Sequence, residues 1–252
     1  MNRRGRFQGV CAVARFNWPF YLCAVAVLSG CAIALAFTGT LWIQASSVLL
    51  GLGCLYFILV SLGVSHWVYD RSDLYRWKWL ERALCGMIPG RMVFCHSGFD
   101  ESSGLLAGKF PAADWRILDH HDPRWMDEPS ILRARRMFPP GESTVSAPFD
   151  GWPVESGWAD VVFGLLAIHE LRTVDDRAAW FREAARCLSD GGRIVIVEHL
   201  RDPANFLAFG PGFLHFHSQE SWRKSWENAG LALADEFRLT PFLKVFILRN
   251  ND

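Results

Sequence analysis

The chain has 252 residues, enough for one ordinary domain and an appendage, and its formal net charge is zero. That neutrality hides a division: Arg3, Arg4, Arg6 and Arg15 give residues 1–15 a charge of +4, residues 16–69 hold no Asp, Glu, Lys or Arg, and residues 70–252 carry the balancing −4. With no basic stripe on the polar part, nucleic acid is not an expected partner. The seven cysteines include no CxxC pair, so neither a disulfide framework nor a structural zinc site is expected.

Residues 1–15 read as a basic cytoplasmic tail and residues 16–69 as a transmembrane helical hairpin. The uncharged stretch of 54 residues is too long for one span of ~20 residues and suits two, near Trp18 to Phe37 and Ser47 to His66. The polar break between them is Thr38-Gly39-Thr40, extended by Gln44 to Ser47. Both flanks are basic, with Arg71, Arg76, Lys78 and Arg82 on the far side. Both ends are therefore expected in the cytoplasm, with the hairpin in the inner membrane. Leu28-Ser29-Gly30-Cys31 matches a lipoprotein cleavage pattern and Ala34-Leu35-Ala36 a signal-peptidase site. The chain nevertheless stays apolar through a second span, so an uncleaved anchor is expected. Trp67, Tyr69, Tyr75, Trp77 and Trp79 would form an interfacial aromatic belt.

Residues 70–90 are predicted as an amphipathic linker helix, capped by Ser72 and Asp73 and carrying Leu74, Trp77, Leu80 and Leu84 on one face. Residues 91–252 then alternate strand and helix. Met92 to Cys95 is a strand followed by the turn His96-Ser97-Gly98-Phe99-Asp100, and Trp115 to Leu118 is a strand ending at Asp119. Arg133, Arg135 and Arg136 fall on a short helix, read either as a solvated basic face or as a contact for anionic headgroups. Ser143 to Ala147 is a third strand. Val161 to Leu166 is apolar enough for a strand buried on both faces. Thr173 and Asp176 open a helix with Phe181, Ala184, Ala185 and Leu188 on its apolar stripe, and Gly191-Gly192 ends it. Ile194 to Val197 is the next strand. Leu231 to Ala234 and Phe242 to Leu248 form a closing hairpin around Thr240-Pro241. Strand, crossover helix and strand define a parallel α/β sheet with its ligand site at the carboxyl ends of the strands. His169-Glu170 and Glu198-His199 stand there.

The run from Asp160 to Leu200, about forty residues, resembles the second half of class I S-adenosylmethionine (SAM)-dependent methyltransferases. The shared wording is Asp160-Val161-Val162 and the phrase from Ala185 to Glu198. The resemblance implies an α/β, Rossmann-like seven-stranded methyltransferase sheet, here preceded by two transmembrane helices. It implies SAM as cofactor, held by the turn His96, Ser97, Gly98 and Asp100, by Asp119 on the ribose hydroxyls, by Phe149 beside the adenine and by Ala167. The family's turn carries three alternate glycines after an acidic residue; here only Gly98 remains, and Phe94 stands in place of the acid. Ser97 could bind the cofactor's carboxylate and Asp100 its amino group.

Methyl transfer from a sulfonium needs alignment and, for an OH or NH acceptor, a base. His169 and Glu170 are best placed for that work, followed by His199, with Glu198. Glu198 to Asp202 also reads as a structural ion-pair turn. The apolar stretch from Phe206 to Phe216 suits a lid over a hydrophobic or lipid-like small molecule. The expected protein is thus a membrane-anchored SAM-dependent methyltransferase. The altered turn leaves open a module that has lost catalysis and serves as a membrane-tethered binding or scaffold protein. Asp119-His120-His121-Asp122 suggests metal chemistry, but adjacent residues rarely share an ion; His215-x-His217 would share one strand face and reads as satisfied side chains or substrate-pocket lining, so no metal is expected.

Overall fold

The computed structural model describes residues 4–251; Arg3 of the basic tail and the terminal Asp252 lie outside the described residues. Three helices open the chain: α1 (Gln8–Phe16), α2 (Trp18–Phe37) and α3 (Leu41–His66), the last running into a π-helical turn, Trp67–Arg71. The turn between α2 and α3 is only Thr38-Gly39-Thr40, so α3 begins six residues before the expected Ser47. Gln44 does not break the helix, because its side-chain amide donates back to the Thr38 carbonyl at 2.9 Å.

Among the described residues, α2 and the continuous stretch Leu41–Arg71 are the two helical segments long and apolar enough to cross a membrane. Their large side chains point outward: Phe37 is 87% exposed, Trp42 81% and Leu49 75%. A core helix of a water-soluble protein would bury that surface instead.

The linker departs from the expected single helix. Ser72 is extended, Trp77 sits in the left-handed region at φ 64°, and beyond Arg71 only Leu80–Leu84 (α4) is helical. Nor do its tryptophans form an interfacial belt, since Trp77 and Trp79 are buried. With Val68, Leu74, Leu80 and Leu84 they cover one face of the sheet, against Met92, Phe94, Val161, Phe163, Val195 and Val197. That face needs an apolar cover, and the linker supplies it at about 1.5–3 kcal/mol for each large side chain fully buried.

The remaining elements are β1 (Arg91–His96), α5 (Ser103–Ala107), β2 (Asp114–Asp119), α6 (Pro129–Met137), β3 (Thr144–Ser146), β4 (Ala159–Leu165), α7 (Val174–Cys187), β5 (Leu188–His199), α8 (Pro203–Phe209), α9 (Gln219–Glu227), β6 (Leu231–Thr240) and β7 (Leu243–Asn250). The seven strands among the described residues form one sheet of order β3-β2-β1-β4-β5-β7-β6, in which β7 alone runs antiparallel to its neighbours. Thr173 caps α7 by accepting from the Asp176 N–H at 3.0 Å, as its spacing predicts. That helix ends at Cys187, before the expected Gly191-Gly192, which lie instead within β5. The second sheet face carries Val93, Cys95, Val162, Ile194 and Ile196 against Trp180, Phe181 and Ala184 of α7 and Trp222 and Trp226 of α9. Alternation along each strand sends neighbouring residues to opposite faces, so both covers follow from one apolar run.

Candidate functional site

The carboxyl ends of β1, β4 and β5 meet the N-terminal helices around a cavity of about 1070 Å³. Its walls are mostly apolar: Phe16, Tyr21 and Phe57 from α1–α3, Phe99 from the turn after β1, and Phe209 and Phe216 from the segment after β5. One end is polar, lined by His169, Glu170, Arg172, His199 and His215.

The polar end is organised by Glu198, the last residue but one of β5, which is fully buried. Its Oε1 accepts the backbone N–H groups of Ala167, Ile168 and His169 at 3.1, 3.0 and 3.3 Å. Its Oε2 lies 2.7 Å from His169 Nδ1. A carboxylate only accepts, so Nδ1 donates to Glu198, and Nε2 turns toward the cavity. Gly164 in β4 makes room for this turn, because a Cβ there would stand 2.7 Å from Ile168 Cγ1. Glu170 follows on the same 3-10 turn, its Oε1 3.6 Å from His169 Nε2 and 3.4 Å from His215 Nε2. Burial pulls the His215 proton affinity down, but hydrogen bonds to Glu128 and Glu170 outweigh it and raise its pKa to about 9.

His199 lines the cavity with both ring nitrogens engaged. Nδ1 donates to Asn205 Oδ1 at 3.0 Å, and Nε2 accepts from the Tyr69 hydroxyl at 2.9 Å. Burial then lowers its pKa to about 4, so it is neutral at ordinary pH. The structure therefore brings His169 and Glu170 together and sets His199 apart, in a network with Tyr69.

The turn after β1 lies beside this cavity. Asp119, at the end of β2, is buried; its Oδ1 accepts from the N–H groups of Gly98 and His121 at 2.9 and 3.0 Å, and its Oδ2 is ion-paired with Arg135. Gly98 has φ +95°, and the His121 ring lies so close above it that a Cβ would meet Cδ2 at 2.8 Å. Asp100 caps α5 through the Ser102 and Ser103 N–H groups, at 3.0 and 2.9 Å. Phe149 is half-buried against the core, and Ala167 is buried with its N–H on Glu198. Two of the three basic residues of α6 are engaged and not merely solvated: Arg135 holds Asp119, and Arg133 donates to the Phe16 carbonyl at 2.7 Å, while Arg136 is exposed.

Several polar atoms in this region are buried without a hydrogen-bond partner: both ring nitrogens of His96, Ser97 Oγ, and Nε2 of His120 and of His121. His96 Nδ1 lies 3.5 Å from Asp119 Oδ1, too long for a good bond. Such orphans carry a desolvation cost of about 1–3 kcal/mol each and are rarely left without cause. They gather at the carboxyl ends of β1 and β2, where α/β sheets bind ligands, so the residues present fit a polar ligand. The adjacent histidine pairs do not act as units. His120 stacks on Trp152 at 5.5 Å, while His217 sits 2.9 Å from Arg177 Nη1, apart from His215.

Reasoning from the sequence alone missed three participants. The sequence offers Glu198 as a further base candidate or an ion-pair turn and not as the anchor of the His169 turn, Arg135 as one of a basic helical group, and Tyr69 as interfacial. Only the acidic residue directly before His199 at a strand end hinted at the first.

No family model matches the chain. Over 139 residues it is 29% identical to the malonyl-[acyl-carrier protein] O-methyltransferase of Laribacter hongkongensis (strain HLHK9), an alignment covering 47% of this chain and 43% of that protein. The chain thus spans less than half the length of that relative. Two of the solved structures that share its fold illustrate the likeness. A SAM-dependent methyltransferase from Aquifex aeolicus has a TM-score of 0.50 at 13% identity, covering 72% of this chain and 94% of that one. The mitomycin 7-O-methyltransferase MmcR has a TM-score of 0.52 at 17% identity, covering 98% of this chain and 74% of that one. The fold is the Rossmann-like seven-stranded sheet of methyltransferases, carrying two long apolar helices at its N-terminal side.

Proposed function

We propose that this chain is a SAM-dependent methyltransferase, anchored in the cytoplasmic membrane by α2 and α3, that methylates a hydrophobic or lipid-like small molecule. The observation that supports it most is the cavity, in which a carboxylate-backed imidazole faces a chamber walled partly by the two long apolar helices. Tyr21, Phe57, Ser61 and Ser65 of those helices belong to the same cavity as His169. Phe206 and Leu207 of α8, which packs beside α3, and Leu214 of the following segment leave large apolar surfaces exposed, as suits a segment resting against lipid. Arginines before α2 and after α3 favour a hairpin with both flanks in the cytoplasm.

His96, Ser97, Gly98 and Asp119 would hold the cofactor. When bound, it supplies an electrophilic methyl group on a sulfonium. Asp119 would accept the ribose hydroxyls once Arg135 releases it. His169, oriented by Glu198, takes the proton from the acceptor, and Glu170 steadies the resulting imidazolium. His199 holds the Tyr69 hydroxyl in the cavity wall. The apolar walls exclude water and orient the acceptor's chain.

Calorimetric titration of SAM and its demethylated product into the full chain in neutral detergent tests this reading. Micromolar binding is expected. Asp119→Ala should weaken it about 100-fold, the scale of two lost hydrogen bonds to a charged acceptor. Arg135→Ala should tighten it several-fold, because a larger fraction of molecules would have Asp119 free. One observation favours a second reading, a catalytically silent binding module: Asp119 is already ion-paired, and His121 covers Gly98. A folded protein that binds neither ligand at millimolar concentration, in either variant, would favour that module.

A further inference from the structure

The polar end of the cavity has more order than one base requires. His169 and Glu170 come from the 3-10 turn after β4, and His215 from the segment after α8, yet one ligand atom of each lies within 4.8 Å of the others. Glu170 Oε1 is 3.6 Å from His169 Nε2 and 3.4 Å from His215 Nε2. Four-coordinate ligands each about 2.1 Å from one ion stand roughly 3.4 Å apart. The far nitrogen of each ring is held by its own carboxylate: His169 Nδ1 by Glu198 at 2.7 Å, and His215 Nδ1 by Glu128 at 3.0 Å. That is how metal-bound imidazoles are usually oriented, with the outer N–H on an acceptor and the inner lone pair aimed at the ion.

Two further features point the same way. Arg172 Nη1 donates to the backbone carbonyls of His169 and His215, at 3.1 and 2.6 Å, which clamps the two segments that carry the rings. It also stands 3.5 Å from His215 Nδ1, on the outer side of that ring. Three carboxylates, Glu128, Glu170 and Glu198, thus surround the two rings, and a cation between the rings would offset their charge.

We infer that His169, Glu170 and His215 form a binding site for a divalent first-row transition-metal ion, zinc-like in preference, with open coordination toward the cavity. Two imidazoles and one carboxylate are a nitrogen-rich donor set that suits such ions better than magnesium or calcium. The open side faces the space assigned to the acceptor, so an acceptor oxygen or nitrogen could bind the ion directly. His169 would then act as a ligand and not as a free base, and acceptor activation would pass to the cation. The site does not depend on the methyl-transfer reading, since metal binding is measured without any methyl donor.

The test uses the full chain in neutral detergent, stripped with chelator and titrated with Zn²⁺ by calorimetry and with Co²⁺ by visible absorption. One ion per chain and the ligand-field bands of a four-coordinate Co²⁺ site are expected. His215→Ala and Glu170→Gln should each lower affinity at least 100-fold. Glu128→Gln, which touches only the outer nitrogen, should lower it about 10-fold. Should His215→Ala fail to fold, Glu128→Gln still decides, because a purely adventitious ion would not sense it. A folded protein without Co²⁺ bands, or affinity unchanged in Glu170→Gln and Glu128→Gln, overturns the site. Metal binding without SAM binding would retain this site and reject the methyl-transfer reading; SAM binding without metal would do the reverse.

Discussion

Glu198→Gln should abolish most transfer chemistry while leaving the protein folded, and Glu198→Ala should not fold well enough to be assayed. The difference follows from the two oxygens. Oε1 serves three buried backbone N–H groups of the 167–169 turn, and Oε2 serves the His169 ring. Alanine would leave all three N–H groups without an acceptor, a cost of roughly 3–5 kcal/mol. Glutamine must keep its carbonyl oxygen on those N–H groups, which places its NH₂ against His169 Nδ1. Nδ1 then has to accept, and the proton moves to Nε2, the atom that faces the cavity. With its inner nitrogen protonated the imidazole can neither take a proton nor ligate an ion there, and the expected loss is about 100-fold or more. The measurement is transfer of label from methyl-tritiated SAM into a membrane lipid extract, beside calorimetric SAM binding in the same preparation. Binding should stay within about two-fold while label incorporation falls. Wild-type incorporation by a folded Glu198→Gln protein would remove His169 from the chemistry.

What the sequence made legible was whatever repeats locally. The unit β4, α7 and β5 could be read because strands buried on both faces leave continuous apolar runs, and because Thr173 sits three residues before the N–H that it caps. The helical hairpin could be read from the absence of charge over residues 16–69. Asp119 could be placed because a strand-end acid is a local signal. Its partner Arg135 could not, since an ion pair sixteen residues away looks the same in sequence as a solvated basic helix.

The linker misled for a related reason. Trp77 and Trp79 between basic residues have the composition of a membrane interface, and only the empty face of the sheet shows that they belong in a core. Glu198 is the deepest case. Its role comes from lying on the strand next to β4, within reach of the turn that ends β4, and no spacing along the chain carries that adjacency. His215 reaches the same cluster through a third segment. The chemistry of the site is therefore a property of the topology, while its ingredients are scattered through ordinary-looking stretches.

Acid should destabilise this protein well before its carboxylates titrate. His120 and His199 are both buried, and burial lowers each pKa to about 4 from 6.5. In His120 the hydrogen bond to the Ala147 carbonyl, at 3.0 Å, opposes burial without overcoming it, and Nε2 has no partner to receive a second proton's charge. In His199 a proton on Nε2 would displace the Tyr69 hydroxyl that donates there. Both folded-state values lie below the unfolded one, so the unfolded chain binds more protons between pH 6.5 and 4. Stability is then complete above pH 6.5 and declines as pH falls through that window. At pH 5 each group accounts for a loss of about 2 kcal/mol, which for a chain of this size is a fall in Tm of about 10 °C for the pair. Thermal unfolding of the full chain in neutral detergent at pH 7.5 and 5.0 measures it. His120→Phe keeps an aromatic ring on Trp152 but cannot titrate, so its Tm should be lower at pH 7.5 and its fall toward pH 5.0 shallower by one residue's share only, because burial also lowers His217 to about 3 and it titrates in the same window. An equally steep fall in that variant would show that other groups, and not His120, set the acid limit.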